Sequence, residues 1–388
     1  MVLDRVLLTA RLAAYEGYSK HDALNSAVLA RLAGQSRLRR IGATQVVTRS
    51  PIDVRHAMGV RKARNAKGLS LFARAYLSRH RMTGSAEDAS EARDLLDWLI
   101  SHSAPGFDGL CWGYPYPWQD VGFFAPRDFP NRVVTSFVGQ ALLDGYETLR
   151  DRRYLDAADL AVRFLLTAPK TLYEDDQHWC LSYVPDSAID WIVMDVSALV
   201  GTLSARLGAI TGDEELVRQG GRLIRYVVSK QTDHGAWFYT DPPSASHITH
   251  DNYHTGFILD SILQYGLAAG SEEFQAAYSR GVEFYARRLF EANGAARFMS
   301  DRQYPIDIHG CAQGIITFSL QQRHLGAGAA DATRVLRWTL DNMWDPSSGW
   351  FYYQRRRLVR TSIRELRWCQ GWMSWALASY LENCGGEE

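Results

Sequence analysis

Asn131-Arg-Val-Val-Thr-Ser-Phe-Val-Gly139-Gln-Ala-Leu-Leu-Asp-Gly-Tyr-Glu-Thr-Leu149 is followed by Arg150-Asp151 and then by Arg152-Arg-Tyr-Leu-Asp-Ala-Ala-Asp-Leu-Ala-Val-Arg-Phe-Leu-Leu-Thr-Ala168. The first segment is apolar on most faces and carries small residues that let backbones approach closely. The second has an apolar stripe at helical spacing and a charged opposite face. A two-residue turn with Asp at the N-cap position joins them, so the pair reads as an antiparallel helical hairpin, inner helix first and outer helix second.

The same unit recurs along the chain. Helical periodicity places helices over 67–83, 86–103, 132–149, 152–168, 192–211, 213–230, 253–269, 272–289, 309–325, 329–343 and 366–382, with one or two more within 2–34. Short turns close one set of connections: Thr83-Gly84-Ser85, Arg150-Asp151, Thr211-Gly212-Asp213, Ala269-Gly270-Ser271 and Gly326-Ala327-Gly328. The other connections are long and aromatic, with Trp112, Trp179, Trp237, Phe298 and Trp350 marking successive units, and a further loop over 39–66 comes first. Repeated units of this kind are stacked supersecondary elements. Six inner and six outer helices give an all-α, single-domain (α/α)6 toroid over 1–388. Residues 1–66 then supply the ring-closing outer helix and the first long loop. All long loops fall on one face, at the N-termini of the inner helices, where a site is expected.

Composition limits the function. Acidic and basic residues balance at 43 each, which argues against a general nucleic-acid binder. No apolar run is long enough to span a membrane. The N-terminal segment has charges at Asp4, Arg5 and Arg11 in place of a signal peptide's apolar core, so a cytoplasmic location is expected. Five scattered cysteines without a C-x-x-C pair suggest neither a disulfide framework nor a zinc site, and no metal or cofactor is expected. Aromatic residues make up 12% of the chain, and the basic residues are 38 Arg against five Lys.

Several loop motifs carry a resemblance: Arg49-Ser-Pro-Ile-Asp-Val-Arg55 with Asn65-Ala-Lys-Gly68, Cys111-Trp-Gly-Tyr-Pro115, Pro130-Asn-Arg-Val-Val-Thr-Ser136, His250-Asp-Asn-Tyr-His-Thr-Gly256, Asp301-Arg-Gln-Tyr-Pro-Ile-Asp-Ile-His309 and Arg367-Trp-Cys-Gln-Gly-Trp-Met373. In this order they resemble a branch of the six-hairpin glycosidase-like superfamily that is associated with surface-polysaccharide biosynthesis. The resemblance implies the toroid and a carbohydrate substrate. It leaves hydrolase, lyase and epimerase chemistry open, because the superfamily hosts all three. At the third inner helix, where members carry a His-Asn pair, this chain has Val193-Met-Asp195-Val-Ser.

The polar residues of the long loops supply the candidate chemistry. Asp251 opens the fourth inner helix and His254 follows one turn later; Asp307 and His309 open the fifth. Asp251 and Asp307 form the expected carboxylate pair of a glycoside hydrolase, with His254 and His309 tuning or relaying protons. Asp190 and Asp195, flanking the start of the third inner helix, are alternative second acids. The plainer account is that Asp251 only caps its helix and Asp307 belongs to a structural ion-pair network. Sugar faces pack on aromatic rings, which makes Trp112, Tyr114, Trp118, Trp237, Tyr253, Tyr304, Tyr353 and Trp368 candidate platforms. Asn131 and Gln370 would add hydrogen bonds. Lys67, Arg302, Arg364 and Arg367 would hold acidic groups. Gln231-Thr-Asp233-His-Gly235-Ala-Trp237 resembles the hairpin-bracing repeat of terpene cyclases, without their acid or metal motifs.

The leading expectation is therefore a glycoside hydrolase acting on an acidic or surface oligo- or polysaccharide. The alternatives are a uronate epimerase or a polysaccharide lyase on the same fold, and a non-catalytic glycan-binding partner.

Overall fold

A computed structural model describes all residues except 51, 121, 169, 187, 362 and 386–388; Pro51 of the first loop motif thus lies outside the described residues. Fourteen α-helices form among the described residues: α1 (Val2–Leu12), α2 (Ala27–Ala33), α3 (Arg37–Arg49), α4 (Ala66–Thr83), α5 (Ala86–Ser101), α6 (Arg132–Leu149), α7 (Arg152–Thr167), α8 (Met194–Thr211), α9 (Glu214–Ser229), α10 (Asn252–Ala269), α11 (Gln275–Arg288), α12 (Ile308–Leu325), α13 (Ala329–Met343) and α14 (Trp372–Cys384).

The even-numbered helices from α4 to α14 pack in sequence, and α14 packs back on α4, so the inner ring is closed. The helices α5, α7, α9, α11 and α13 each pack on the inner helix before them, and α1 packs on α14. The chain is a single-domain (α/α)6 toroid. Close approach between the rings is clearest at Gly201 of α8 and Gly220 of α9. A Cβ on either glycine would come within 2.8 or 2.5 Å of the other's carbonyl oxygen, so neither tolerates a side chain. The short turns are built as the caps require. Asp151 and Asp213 accept hydrogen bonds from the first backbone amides of α7 and α9. Left-handed residues end the inner helices, glycine at 84, 212, 270 and 326 and, as an exception, Arg150 (φ 57°).

Three features differ from the sequence expectation. The segment 39–66 is not simply a loop, since α3 runs to Arg49, started by Ser36 accepting from the Arg39 amide. Only Thr44 and Val47 of α3 are buried, so its sequence shows no apolar stripe. With α2 and a 3-10 turn over Asp22–Asn25, α3 makes a small cap with its own core of Ala23, Leu29, Val47 and Val60. Buried Arg55 fastens this cap to the ring. Its Nε donates to Asp22 Oδ1 (2.9 Å) and its Nη2 to Glu365 Oε1 (2.7 Å). Next, α11 starts at Gln275 rather than at 272. Finally, the last inner helix begins as a π-helical turn over Leu366–Gly371, which becomes α-helix only at Trp372. Such turns recur at functional sites, and this one sends Arg367 and Trp368 to the same side.

The long loops are stitched in pairs by strands of two to four residues. Ile192–Val193 pairs with Thr240–Asp241, joining the third and fourth loops. Ile306–Asp307 pairs with Gln354–Arg355, joining the fifth and sixth. These clips fix the loop face as a rigid rim.

Candidate active site

A cavity of about 710 Å³ opens on the loop face at the ring's centre. Its walls hold Tyr114, Trp118, Tyr239, Tyr253, Tyr304, Tyr353 and Trp368; one side is closed by Ile41, Thr44, Gln45, Thr48 and Arg49 of the α3 cap. Phe257 lines the cavity, and Phe137 and Trp372 pack against it. Phe257 stacks on Trp372 with ring centres 5.4 Å apart, and Phe137 meets Trp372 edge-on at 5.3 Å.

The first turns of α10 and α12 deliver two histidines. Asp251 occupies the N-cap position of α10 without capping it; its Oδ2 lies 2.7 Å from His254 Nδ1. His254 faces the cavity and Asp251 is buried behind it. Burial alone would lower the basicity of His254, but Asp251 and then Asp195 outweigh burial and raise it. Asp251 thus holds His254 toward its charged form.

His309 has the opposite character. It is 1% exposed, and both ring nitrogens lack a hydrogen-bond partner. Aromatic rings hold it: Tyr253 stacks at 4.2 Å, Trp372 lies at 4.1 Å and Trp368 meets it edge-on at 4.6 Å. Burial pushes its basicity well below the ordinary histidine value, and the charge of nearby Arg367 pushes it further. It is held toward the neutral form in the cavity wall, with both ring nitrogens buried and neither hydrogen-bonded.

Asp307 is not a cavity carboxylate. Its Oδ1 accepts from the His309 amide (3.0 Å) and from Trp368 Nε1 (2.7 Å), and its Oδ2 accepts from Gln354 Nε2 (2.8 Å). Lys20 Nζ lies 3.9 Å away. Both oxygens serve to position neighbours, and neither Asp251 nor Asp307 lines the cavity, so the expected pair does not face one substrate. Asp195 does line the cavity. It is 2% exposed, its Oδ1 has no partner, and burial raises its carboxyl against the pull of His254 and Lys67.

Other expected residues lie elsewhere. Asp190 is exposed at the surface and pairs with Lys170. Trp112 and Trp237 are both 2% exposed and face away from the cavity. Each indole donates to a carbonyl near the C-terminus of the preceding outer helix, Trp112 to Leu99 (2.8 Å) and Trp237 to Val227 (2.9 Å). They brace hairpins, as does Gln231, which donates to Ala277 O of α11 (2.9 Å). Asn131 caps α6 through its contact with the Val134 amide (2.9 Å). Gln370 ties the last loop to the ring through Phe351 N and Gly349 O. Arg364 lies beside Trp350, outside the cavity. Trp112 and Trp237 thus mark architecture, whereas Phe298, the marker of the fifth loop, lines the cavity.

Lys67, Tyr114, Trp118, Tyr253, Arg302, Tyr304, Tyr353, Arg367 and Trp368 do line the cavity. Sequence reasoning missed Lys20, His21, Asp120, Tyr183 and the α3 wall apart from Arg49, whereas Arg49 and Arg356 belong to the arginine-rich first and last long loops. Lys20 sits 4.0 Å over the Trp368 ring. One signal was available: lysine is scarce in this chain, yet Lys20 and Lys67 both reach the cavity. Cavity cations are Lys20, Arg49, Lys67, Arg302, Arg356 and Arg367, against Asp120 and Asp195. Among the described residues no group of His, Cys, Asp or Glu could hold a metal ion, and no helix is long and apolar enough to cross a membrane.

No protein-family model and no curated protein sequence matches the chain. Its likenesses are structural. Cellobiose 2-epimerase from Bacillus thermoamylovorans superposes with TM-score 0.63 at 12% identity, over 81% of this chain and 87% of that one. An α-mannanase from Bacteroides thetaiotaomicron gives 0.63 at 12%, over 82% and 86%. An unsaturated glucuronyl hydrolase specific for heparin gives 0.62 at 11%, over 98% and 96%. The chain therefore has the six-hairpin glycosidase fold, whose structural neighbours here are a sugar epimerase, a mannanase and a glucuronyl hydrolase.

Proposed function

We propose that the protein is a carbohydrate-active enzyme that moves a proton at a sugar carbon next to a carbonyl, an epimerase or isomerase of a sugar with a free reducing end. The observation that carries this reading is a pair of histidines in one cavity with opposite surroundings, His254 held by Asp251 at 2.7 Å and His309 packed among aromatic rings without a hydrogen-bond partner. When environments push two titratable groups apart, the acid and the base are assigned. His309, neutral and without a hydrogen-bond partner, is the base. His254, charged by Asp251, is the acid that returns the proton. Tyr239 and Tyr253, whose hydroxyls burial keeps protonated, would donate to the oxygen that gains charge in an enediolate. The epimerase among the structural neighbours supports this class.

The excess of cations supports an acidic sugar. Arg49, Arg302 and Arg356 are exposed at the cavity mouth, and no ion pair is formed by any of them among the described residues. A carboxylate or sulfate on the sugar would be held there by charge-assisted hydrogen bonds.

A hydrolytic reading keeps one specific support, the buried Asp195 carboxyl facing the same cavity as Asp120. Product analysis by NMR separates the two. Incubation of acidic and neutral reducing disaccharides should give an isomeric disaccharide. That product should be lost in His309→Asn and in His254→Asn. Release of monosaccharides, abolished by Asp195→Asn, would instead establish hydrolysis.

A further inference from the structure

Lys67 lies at the start of α4, 3% exposed and facing the cavity. Its Nζ rests over an aromatic floor, 3.9 Å from the centre of Phe137, 5.0 Å from Phe257 and 5.3 Å from Trp372. Among the described residues it forms no ion pair, although Asp195 lines the same cavity. A lysine held in this way differs from the arginines around it. Guanidinium stays charged, whereas a desolvated primary amine gives up its proton and becomes a nucleophile toward carbonyl groups. Burial and then the charge of Arg367 both drive Lys67 in that direction, against the pull of Asp195. Arg367 stays a cation beside it, stacked between Tyr114 and Trp368 at 5.3 and 5.0 Å. The chain has only five lysines, and this is the one placed at the cavity floor.

We propose that Lys67 forms a covalent imine with the aldehyde carbon of the open-chain reducing sugar, and that the carbon acid deprotonated in the cavity is this imine. The inference rests on the proton-transfer reading above and replaces its enediolate with an enamine on Lys67. The lone pair of Nζ attacks C1, and the C=O π electrons move to oxygen. The nitrogen passes one proton to the C1 oxygen, His254 supplies the second, the oxygen leaves as water, and a C=N bond remains that still carries one N–H. The protonated imine withdraws electrons from C2. His309 Nδ1 or Nε2 then takes the C2 proton and the C–H pair becomes the C1–C2 double bond of an enamine. Return of a proton to the other face of C2 and hydrolysis by one water release the epimer and the free amine. No oxidant, reductant or other co-reactant takes part.

The test is reductive trapping on the whole chain. The protein is incubated with D-glucuronate or D-glucose and sodium cyanoborohydride, and the adduct is located by peptide mass spectrometry. The proposal expects a secondary amine at Lys67, formed at least about tenfold faster than at exposed Lys62, and lost in Lys67→Arg. Trapping only at Lys62 and other surface lysines overturns it. The unmodified sugar recovered from a parallel reaction in D2O reads the underlying reading separately. Deuterium at C2 with no Lys67 adduct removes the imine and leaves proton transfer standing; neither deuterium nor adduct removes both. These readouts use the wild-type chain and do not depend on the folding of a variant.

Discussion

Asp251 stands at the N-cap of α10, yet its carboxylate turns from the helix amides to His254, with Oδ2 2.7 Å from Nδ1. A residue that would ordinarily cap has been diverted to hold an imidazolium at the cavity wall. The pair sets a first expectation. Asp251→Asn removes the charge that keeps His254 protonated and should cost about 10²–10⁴ in turnover, the usual worth of a positioned proton carrier. The fold should remain, since the helix already lacks that cap. Turnover at several pH values checks this: the loss should deepen toward alkaline pH, where the unsupported histidine is neutral.

Stability should report the two histidines with opposite signs. His309 is held below the ordinary value, so the unfolded chain protonates first and stability falls as pH drops below about 6.5. His254 is held above it, so its contribution is full below that value and fades as pH rises through its raised folded value. In thermal melts, His309→Gln should narrow the gap in Tm between neutral and mildly acidic buffer. His254→Gln should lower Tm more in acidic than in alkaline buffer. Identical pH profiles in both variants and wild type would show that neither ring is perturbed.

The indoles of Trp112 and Trp237 brace successive hairpins by donating to Leu99 and Val227. Trp→Phe at either position removes the indole bond, while the Leu99 and Val227 carbonyls keep the amides of His102 and Lys230, and should destabilise by about 0.5–1.5 kcal/mol. Denaturant unfolding measures the loss, and KM for the sugar should not move. A large KM change with unaltered stability would return these residues to the substrate.

At the cavity mouth, Arg302→Ala and Arg356→Ala should each weaken an acidic sugar relative to its neutral counterpart by about tenfold, the worth of one hydrogen bond to a charged group. The ratio of the two KM values, measured at low and high salt, checks this. A lowered preference that salt does not modulate would mean that shape rather than charge is read.

The toroid was legible because short capped turns alternate with long aromatic loops, and that alternation dictates the ring. The α3 cap was not, because its helix buries only Thr44 and Val47 and leaves no apolar stripe to read. The first turns at Asp251 and Asp307 were found by their polar clustering, but sequence could not show which way each carboxylate points. Asp307 spends its acceptors on Trp368, Gln354 and the His309 amide, and only Asp195 of the expected acids faces the cavity. Trp112 and Trp237 were noticed because they repeat, and a residue repeated in every hairpin serves what every hairpin needs. Lys20 comes from a segment with no motif and reaches the site only through the packing of the cap on the ring.

The central claim is that His254 and His309 move a proton at carbon. The measurement that tests it most directly is proton NMR of an acidic reducing disaccharide turned over in D2O. Proton transfer predicts loss of the C2 proton signal in recovered sugar and growth of a C2-deuterated epimer, both absent in His309→Asn. Release of monosaccharides whose C2 positions keep their protons would contradict it.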